Sequence, residues 1–238
     1  MSKIKILSPQ EICKIAAGEV VERPANIVKE LVENALDANS TSIEIFIDQA
    51  GKKAIRVLDN GCGMSREDAL LCFAHHATSK IAGVSDLDNL NFFGFRGEAL
   101  SSISAVGKVV LTTMEKGAIC GTQVRLEGGK VVSQSDIAAP VGTDIVITDL
   151  FYNVPARQKF LKKEETEWRQ ILLLFQAFAL DYPKVHFRLY NNDRSVYNCP
   201  PVQQISERVL QLWDSSVAGS MVNLNPTENQ DLKITGVS

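Results

Sequence analysis

The strongest constraint on the fold is a helical pattern that stands near the start of the chain. From Pro24 to Asn39 the apolar residues recur at the spacing of one helix face, because a helix advances about 100° per residue. The apolar positions are Val28, Leu31, Val32, Ala35 and Leu36. The segment therefore predicts an amphipathic helix that packs on a core.

A strand pattern follows this helix almost at once. Ile43, Ile45 and Ile47 alternate with other residues, which is the period of a half-buried strand. Gly51 and Lys52 then turn the chain into a second strand, from Ala54 to Leu58. A helix directly followed by a hairpin predicts a mixed fold of helices and strands.

The same reading continues along the rest of the chain. It predicts helices at Ser65 to Phe73, 97–105, Pro155 to Leu180 and Val202 to Leu212, and strands at 108–114, 121–126, 143–149, 185–190 and 195–199. The last segment, 221–237, predicts a strand, a turn and a strand. A hairpin does not fold alone, so we expect a first domain over residues 1–205 and the beginning of a second over 206–238.

Composition excludes several classes of protein. The net charge is −3, so the overall field does not indicate nucleic acid, and any DNA contact must come from a local patch. The five cysteines are odd in number and lack a CxxC spacing, which argues against a disulfide framework or a zinc site. No apolar stretch approaches bilayer length. We expect a cytoplasmic protein with no membrane segment.

Polar side chains form a stripe along the first helix. Glu30, Glu33, Asn34 and Asp37 are spaced i, i+3, i+4 and i+7, so they share one edge of the helix. Carboxylate and amide oxygens gathered in this way suit a hard cation such as Mg²⁺, with one carboxylate remaining as a base. On spacing alone, a solvated helix face is the favoured interpretation.

Two glycine-bearing segments together shift that balance, although the first alone could be a hairpin turn and the second alone a plain helix entry. Asp59 to Met64 reads DNGCGM, where two glycines permit close approach to a ligand and Asp59 supplies an acceptor. Gly94 to Leu100 reads GFRGEAL and opens a helix, whose first amide groups can hold phosphate oxygens. The polar stretch from Ala74 to Gly97 is long for a plain connection, as binding loops and lids often are.

A family resemblance joins these segments. The chain resembles the MutL-type DNA mismatch-repair proteins, within the superfamily that includes type II topoisomerases, ninety-kilodalton heat-shock chaperones and histidine kinases. The matching blocks are IAAGEVVERPANIVKELVENALDAN from Ile15, DNGCGM from Asp59, HATSK from His76, GFRGEALSSIS from Gly94, PVGT from Pro140 and LFYNVPARQKFLK from Leu150.

The resemblance implies a fold of the α+β class. It is a two-layer α/β sandwich of the GHKL, or Bergerat, ATPase type, in which a mixed, mostly antiparallel sheet is backed by helices. The beginning of a second α/β domain would follow. The chain has no GxxxxGK[ST] sequence, so a Walker-type phosphate loop is excluded.

The resemblance also implies roles for single residues, with ATP and Mg²⁺ as the ligands. Glu30 would be the general base for the attacking water. Asn34 would bind the metal and the nucleotide, and Asp37 would join the nucleotide-binding set on this helix. Asp59 would accept a hydrogen bond from the adenine amino group, and Thr143 would support that contact, which selects ATP over GTP.

The loops would complete the site. Gly61 and Gly63 would let the nucleotide lie close to the backbone, and Thr78, Ser79 and Lys80 would line the ribose and phosphates. The residues expected to wrap the phosphates are Gly94, Phe95, Arg96, Gly97, Glu98, Ala99 and Leu100.

The activity implied is ATP hydrolysis coupled to pairing of two copies. Nucleotide would order the lid, and the ordered lid with the N-terminal arm would form a homodimer surface. A mismatch-recognition protein and other repair factors would be partners, with DNA bound through the longer protein. In the relatives a lysine from the following domain reaches the γ-phosphate, so this chain alone is expected to hydrolyse ATP slowly.

Three alternatives stay open. The chain could be a module that binds nucleotide without hydrolysing it, or a phosphotransferase like the histidine kinases, although no upstream helix with a phosphoacceptor histidine is present. Arg157, Lys159, Lys162 and Lys163 could meet DNA phosphate, but Glu164, Glu165 and Glu167 follow directly. A solvated helix face is the favoured interpretation of that basic cluster.

Overall fold

The computed structural model describes residues 21–74, 77, 97–213 and 217, and the backbone of two further strands at 223–228 and 233–237. The strands are β1 Ser42–Asp48, β2 Ala54–Asp59, β3 Lys108–Met114, β4 Gly121–Glu127, β5 Lys130–Ile137, β6 Gly142–Thr148, β7 His186–Asn191, β8 Arg194–Cys199, β9 Asn223–Glu228 and β10 Lys233–Val237. The helices are α1 Pro24–Asp37, α2 Asp68–Leu71, α3 Ala99–Val106, α4 Pro155–Phe160, α5 Glu164–Asp181 and α6 Ile205–Leu212.

Eight of these strands form one sheet in the order β5-β4-β3-β6-β2-β1-β7-β8. Strands β1 and β7 pair in parallel, and the other neighbouring pairs in this sheet are antiparallel. The predicted mixed, mostly antiparallel sheet is therefore confirmed. Strands β9 and β10 form the hairpin predicted for the last segment.

One face of the sheet is apolar and is covered by helices. Ile47, Ile55, Ile147, Val109 and Leu126 pair in register across five strands, and each is at most 2% exposed. Directly paired residues lie on the same face of a sheet, so this row marks the buried side. Helices α1, α3 and α5 contribute to the same core, which gives the predicted two-layer α/β sandwich.

Helix α1 forms where the periodicity predicts it. The backbone N–H of Arg23 donates to Asn26 Oδ1 at 3.1 Å, and Pro24 occupies the first helical position, where a missing N–H costs nothing. The helix ends at Asp37, two residues before the predicted end. Asn39 takes a left-handed conformation with φ of 58°, which continues no helix.

Strand β5 was not predicted. Most of its residues are exposed, and it lies at the edge of the sheet, where it pairs with β4. An edge strand with both faces in solvent has no buried alternation, so the apolar pattern carries no signal for it.

The single helix predicted from Pro155 to Leu180 is wrong. The structure breaks it at Leu161, Lys162 and Lys163, between α4 and α5. The buried carboxylate of Glu167 accepts a hydrogen bond from the Lys162 N–H at 2.9 Å, which holds the break. The charge pattern fits two helices better than one, because basic residues end α4 and acidic residues begin α5.

Other boundaries shift by a few residues. Ser65 Oγ accepts the Asp68 N–H at 3.1 Å, but helix α2 begins at Asp68 with Glu67 as its N-cap, so the predicted helix start and cap at Ser65 are wrong. Helix α6 lies where a helix was predicted, and the division between residues 205 and 206 stays a prediction. Within the part of the chain that the structure describes, no helix is long and apolar enough to cross a bilayer.

Arg208 on α6 is fully buried and ties this helix to the sheet. Its guanidinium donates to the carbonyl oxygens of Cys199, Pro183 and Val185 at 2.7, 2.7 and 2.8 Å. These carbonyls belong to the segments that flank β7 and β8. A single side chain therefore satisfies three backbone acceptors that the helix would otherwise shield from water.

We expect Arg208→Met to destabilise the protein by several kcal/mol, since each buried acceptor left unsatisfied costs about 1–3 kcal/mol. Urea denaturation followed by circular dichroism measures the loss. Arg194→Met, at an exposed arginine on β8, is the matched control and should stay within about 0.5 kcal/mol of the parent. Equal stability of the two variants would contradict this role for Arg208.

Candidate functional site

The polar stripe of α1 is partly buried. Glu33 is 7% exposed, and its carboxylate lies 2.7 Å from Lys29 Nζ. The Glu30 side chain keeps 25% of its surface exposed, and Asn34 and Asp37 are half-buried. The stripe is therefore not a solvated face. Glu30 and Asn34 stand about 6 Å apart along the helix axis, so one ligand can reach both.

The end of α1 meets the end of β2. The N–H of Cys62 donates to the carbonyl oxygen of Ala38 at 3.0 Å, which fastens the glycine turn to the helix. Ser40 Oγ donates to Asp59 Oδ1 at 3.0 Å, and the Gly61 N–H donates to the same oxygen at 2.8 Å. Asp59 is consequently held in one orientation beside the helix.

Burial raises the pKa of the Asp59 carboxyl above its usual value. Hydrogen bonds from the Gly61 backbone, the Ser40 side chain and the Thr143 backbone act in the opposite direction and only partly offset it. The negative charge of Asp144 raises the pKa further. A carboxyl that is desolvated and yet supplied with donors is a common feature of functional sites.

Strand β6 brings Thr143 beside Asp59. The two residues are register partners in the antiparallel pair of β2 and β6, which places their Cα atoms about 4.5–5.5 Å apart. Thr143 Oγ1 lies 3.1 Å from Thr113 Oγ1 on β3. Thr113 also accepts the Met64 N–H at 3.0 Å, so the glycine turn and β6 both contact this hydroxyl of β3.

The two glycines of the turn have close protein neighbours. A Cβ on Gly61 would come within 2.7 Å of both Ala38 Cβ and Ser40 Oγ. Gly63 has φ of +69°, and a Cβ there would collide with the carbonyl oxygen of Met114. Packing of the turn against α1 and β3 therefore already requires glycine at both positions. Close approach of a nucleotide to them stays a prediction.

The second predicted loop is described at its end. Gly97 has φ of +61° and lies against the backbone of Ala77, and α3 begins two residues later. The Glu98 carbonyl oxygen accepts hydrogen bonds from the Ser102 N–H at 3.0 Å and from Ser101 Oγ at 2.9 Å. The predicted residues that lie outside the described part of the chain are Thr78, Ser79, Lys80, Gly94, Phe95 and Arg96.

The structure thus brings Asp59 together with Gly61 and with Thr143 at one corner of the sheet. The end of α1 meets the same corner through the contact of Ala38 with Cys62. Helix α3 packs on the same face of the sheet, because Ile103 belongs to the same apolar core as Val28.

Two residues of this corner, Ser40 and Thr113, were not predicted. Ser40 is 5% exposed and Thr113 is 1% exposed. A signal for Thr113 does exist in the sequence, because it occupies the inward phase of β3, after Val109 and Leu111. A polar side chain at an apolar phase of a strand marks a buried hydrogen bond. Ser40 follows the helix and gives no comparable signal.

A metal ion would find few protein ligands here. Among the described residues, no group of three or more His, Cys, Asp or Glu side chains could hold a metal ion. Magnesium in nucleotide sites commonly takes one or two protein ligands and completes its shell with phosphates and water. The half-buried amide of Asn34 fits that kind of coordination.

The fold and this corner together define an ATPase with a two-layer sandwich. The model of the family described as histidine kinase-, DNA gyrase B-, and HSP90-like ATPases matches residues 22–148. This range contains α1, the glycine turn and Thr143. The chain belongs to this family.

Within the family, the sequence is similar to DNA mismatch repair proteins called MutL. It is 47% identical to MutL of Pelodictyon phaeoclathratiforme over 99% of the chain, and 46% identical to MutL of Acidobacterium capsulatum over 93%. These alignments cover 37% and 33% of the two relatives, respectively. The chain therefore spans about a third of the length of these curated relatives.

Solved structures agree with the fold. The Aquifex aeolicus MutL ATPase domain complexed with ADP superimposes with a TM-score of 0.65 at 35% identity, covering 81% of this chain and 69% of that one. A second structure of the Aquifex aeolicus ATPase domain gives a TM-score of 0.66 at 31% identity, covering 90% and 71%.

Proposed function

We propose that this chain binds ATP at the corner formed by α1, the glycine turn and β6, and hydrolyses it as the ATPase module of a DNA mismatch-repair protein. The observation that carries the proposal is Asp59, a half-buried carboxyl held by Ser40 and Gly61 beside Thr143. The ADP complex of a relative that is 35% identical supports a nucleotide as the ligand.

The base of the nucleotide is recognised by Asp59. The adenine amino group donates to this carboxylate, and Thr143 supports the contact from the neighbouring strand. Gly61 and Gly63 let the nucleotide lie close to the backbone of the turn. This arrangement leaves the ribose and phosphates to extend along the polar stripe of α1.

Hydrolysis takes place at that stripe. Glu30 acts as the general base that orients the attacking water, and Asn34 contributes an oxygen ligand to the metal, with Asp37 in the same nucleotide-binding set. Magnesium supplies charge neutralisation for the phosphates when it is bound. Phosphoryl transfer needs position and charge rather than a covalent bond to the protein, and these residues supply part of both.

The loop residues hold the phosphates. Gly97, Glu98, Ala99 and Leu100 form the entry of α3, whose first amide groups and positive dipole end favour an anion. The same proposal assigns contacts with the ribose and phosphates to Thr78, Ser79, Lys80, Gly94, Phe95 and Arg96. Closure of these segments on ATP would form the surface on which two copies pair.

The wider role follows from the MutL relatives. As the chain spans about a third of their length, we propose that a longer protein carries the contacts with DNA, with a mismatch-recognition protein and with other repair factors. A second domain that begins near residue 206 belongs to the same proposal, and so does a cytoplasmic location.

Two measurements test the function. Purified protein with Mg²⁺ and ATP should release phosphate slowly, and EDTA should stop the release. Radiolabelled ATP should leave the protein unlabelled, because labelled protein would indicate a phosphotransferase. ATP binding without any phosphate release would indicate a binding module instead.

Pairing is tested separately by sedimentation velocity. With Mg²⁺ and a nonhydrolysable ATP analogue, the sedimentation coefficient should shift from that of one chain to that of two. The matching GTP analogue is the control and should produce a smaller shift at the same concentration. A protein that stays monomeric at saturating analogue would refute the dimer and leave the ATPase proposal standing.

A further inference from the structure

Thr113 occupies a position in the site that the proposed reaction does not explain. It is the next-to-last residue of β3, the register partner of Thr143 on β6, and 1% exposed. Its hydroxyl lies against Met64, Gly142 and Thr143 and not against the stripe of α1. Burying a hydroxyl is unfavourable unless its hydrogen bonds are made. A valine would fill a similar volume at this apolar phase of the strand. The hydrogen bonds of the hydroxyl, rather than the volume of the side chain, therefore explain a threonine at this position.

The hydrogen-bond partners of the Thr113 hydroxyl determine where it donates and where it accepts. The Gly142 carbonyl oxygen, 2.9 Å from Thr113 Oγ1, can only accept, so Thr113 donates its single proton there. The Met64 N–H, 3.0 Å away, can only donate, so Thr113 accepts from it. With its proton already used, Thr113 can only accept from Thr143 Oγ1 at 3.1 Å. The Thr143 proton thus points inward, to Thr113.

The orientation of the Thr143 hydroxyl determines which hydrogen bonds it can make with a ligand. A threonine hydroxyl whose proton is engaged inward offers only lone pairs to a ligand. Its neighbour Asp59 is arranged in the same sense, because the donors Ser40 Oγ and Gly61 N–H both contact Oδ1 and leave lone pairs on Oδ2 of the carboxylate. The two side chains therefore present a matched pair of acceptors.

We propose that Thr113 is a positioning residue that sets the nucleotide specificity of this site. By holding the Thr143 hydroxyl as an acceptor, it favours purines with a 6-amino donor and disfavours purines with a 6-oxo acceptor. The inference rests on the proposed binding of ATP and adds the residue that fixes the hydrogen-bonding polarity of its base pocket.

The test compares three nucleotides on Thr113→Val. Dissociation constants of ATP, GTP and inosine triphosphate are measured by calorimetry in the presence of Mg²⁺. Inosine triphosphate carries the 6-oxo group without the 2-amino group of GTP, so it isolates the position in question. In the variant the Thr143 hydroxyl is released to rotate and can donate to a 6-oxo group.

We expect the ratio of the inosine triphosphate and ATP dissociation constants to fall by about three- to tenfold, which is the value of one hydrogen bond. Thr113→Ser keeps the hydroxyl and should retain the parent ratio. Thr112→Val removes a hydroxyl from the neighbouring position on the other face of β3 and should also retain it. Thr113→Ala serves if the valine variant does not fold.

A double-mutant cycle shows whether Thr113 acts through Thr143. In a Thr143→Val background, Thr113→Val should change the ratio no further, because no hydroxyl is left to orient. A further fall of equal size in that background would overturn the inference. So would a folded Thr113→Val protein with the parent ratio, or one that loses affinity for all three nucleotides by the same factor, since that is the signature of a merely structural residue.

The same experiment distinguishes a failure of the proposed ATP binding from a failure of the proposed role of Thr113. If the parent protein binds none of the three nucleotides, the proposed function fails and this inference fails with it. If the parent binds ATP in preference to inosine triphosphate and the variants keep that preference, only the role of Thr113 is refuted.

Discussion

Glu30→Gln is expected to lower the rate of ATP hydrolysis by about 10²–10⁴-fold, the usual contribution of a general base. The amide keeps the shape of the side chain but cannot accept a proton from water. ATP affinity should change little, because the residue acts on the attacking water and not on the base. Glu30 stands one helical turn from Asn34 and keeps part of its side chain accessible to a ligand.

Single-turnover hydrolysis and equilibrium binding of ATP should be measured on the same preparation. Glu165→Gln, at an exposed carboxylate in the first turn of α5, is the control and should hydrolyse ATP like the parent. A Glu30→Gln protein with undiminished turnover would show that another group orients the water. Loss of binding together with turnover would instead assign Glu30 to the nucleotide contact itself.

Asp59→Asn is expected to weaken ATP binding by roughly ten- to a hundredfold, since it turns a half-buried acceptor into a donor that faces the adenine amino group. The asparagine oxygen can still accept from Ser40 and Gly61, so the amide nitrogen takes the place of the second carboxylate oxygen. Affinity is lost without loss of the local fold.

The same substitution should stabilise the protein without nucleotide. Burial raises the pKa of Asp59 in the folded state, so the folded protein disfavours the charged form. The stability linked to this group is therefore fully present below its unfolded pKa, about 3.9, and is lost as pH rises through the higher folded pKa. At neutral pH the uncharged amide avoids that loss, and the midpoint of thermal unfolding should rise.

Calorimetric titration with ATP and thermal unfolding at pH 7 measure the two effects. Asp193→Asn, at an exposed turn between β7 and β8, is the control and should alter neither. The difference in stability between parent and Asp59→Asn should shrink as pH is lowered, because the parent carboxyl then becomes neutral as well. A variant with parent affinity for ATP would remove Asp59 from the recognition of the base.

The parts of the fold that sequence could predict are those with one buried face. Helix α1 and strand β1 each show a clear period, because their apolar residues all meet the same core. Strand β5 is exposed on both faces and shows none. The break between α4 and α5 depends on a contact of the Glu167 side chain with the backbone, which no periodicity records.

The candidate site divides in the same way. Asp59, Gly61 and Gly63 were predicted from their spacing together with the family resemblance, since a DxGxG turn alone is also common in hairpins. Ser40 and Thr113 act through hydrogen bonds to residues distant in sequence, so their roles appear only when β2, β3 and β6 are placed side by side. The contact of Thr143 with Thr113 likewise became visible only in the structure.

A crystal structure with Mg²⁺ and a nonhydrolysable ATP analogue is the most direct test of the whole account. We predict that the adenine amino group donates to Asp59 and lies next to Thr143, and that the metal is coordinated by Asn34 near Glu30. A nucleotide bound elsewhere, with the carboxyl of Asp59 contacting only protein, would contradict it.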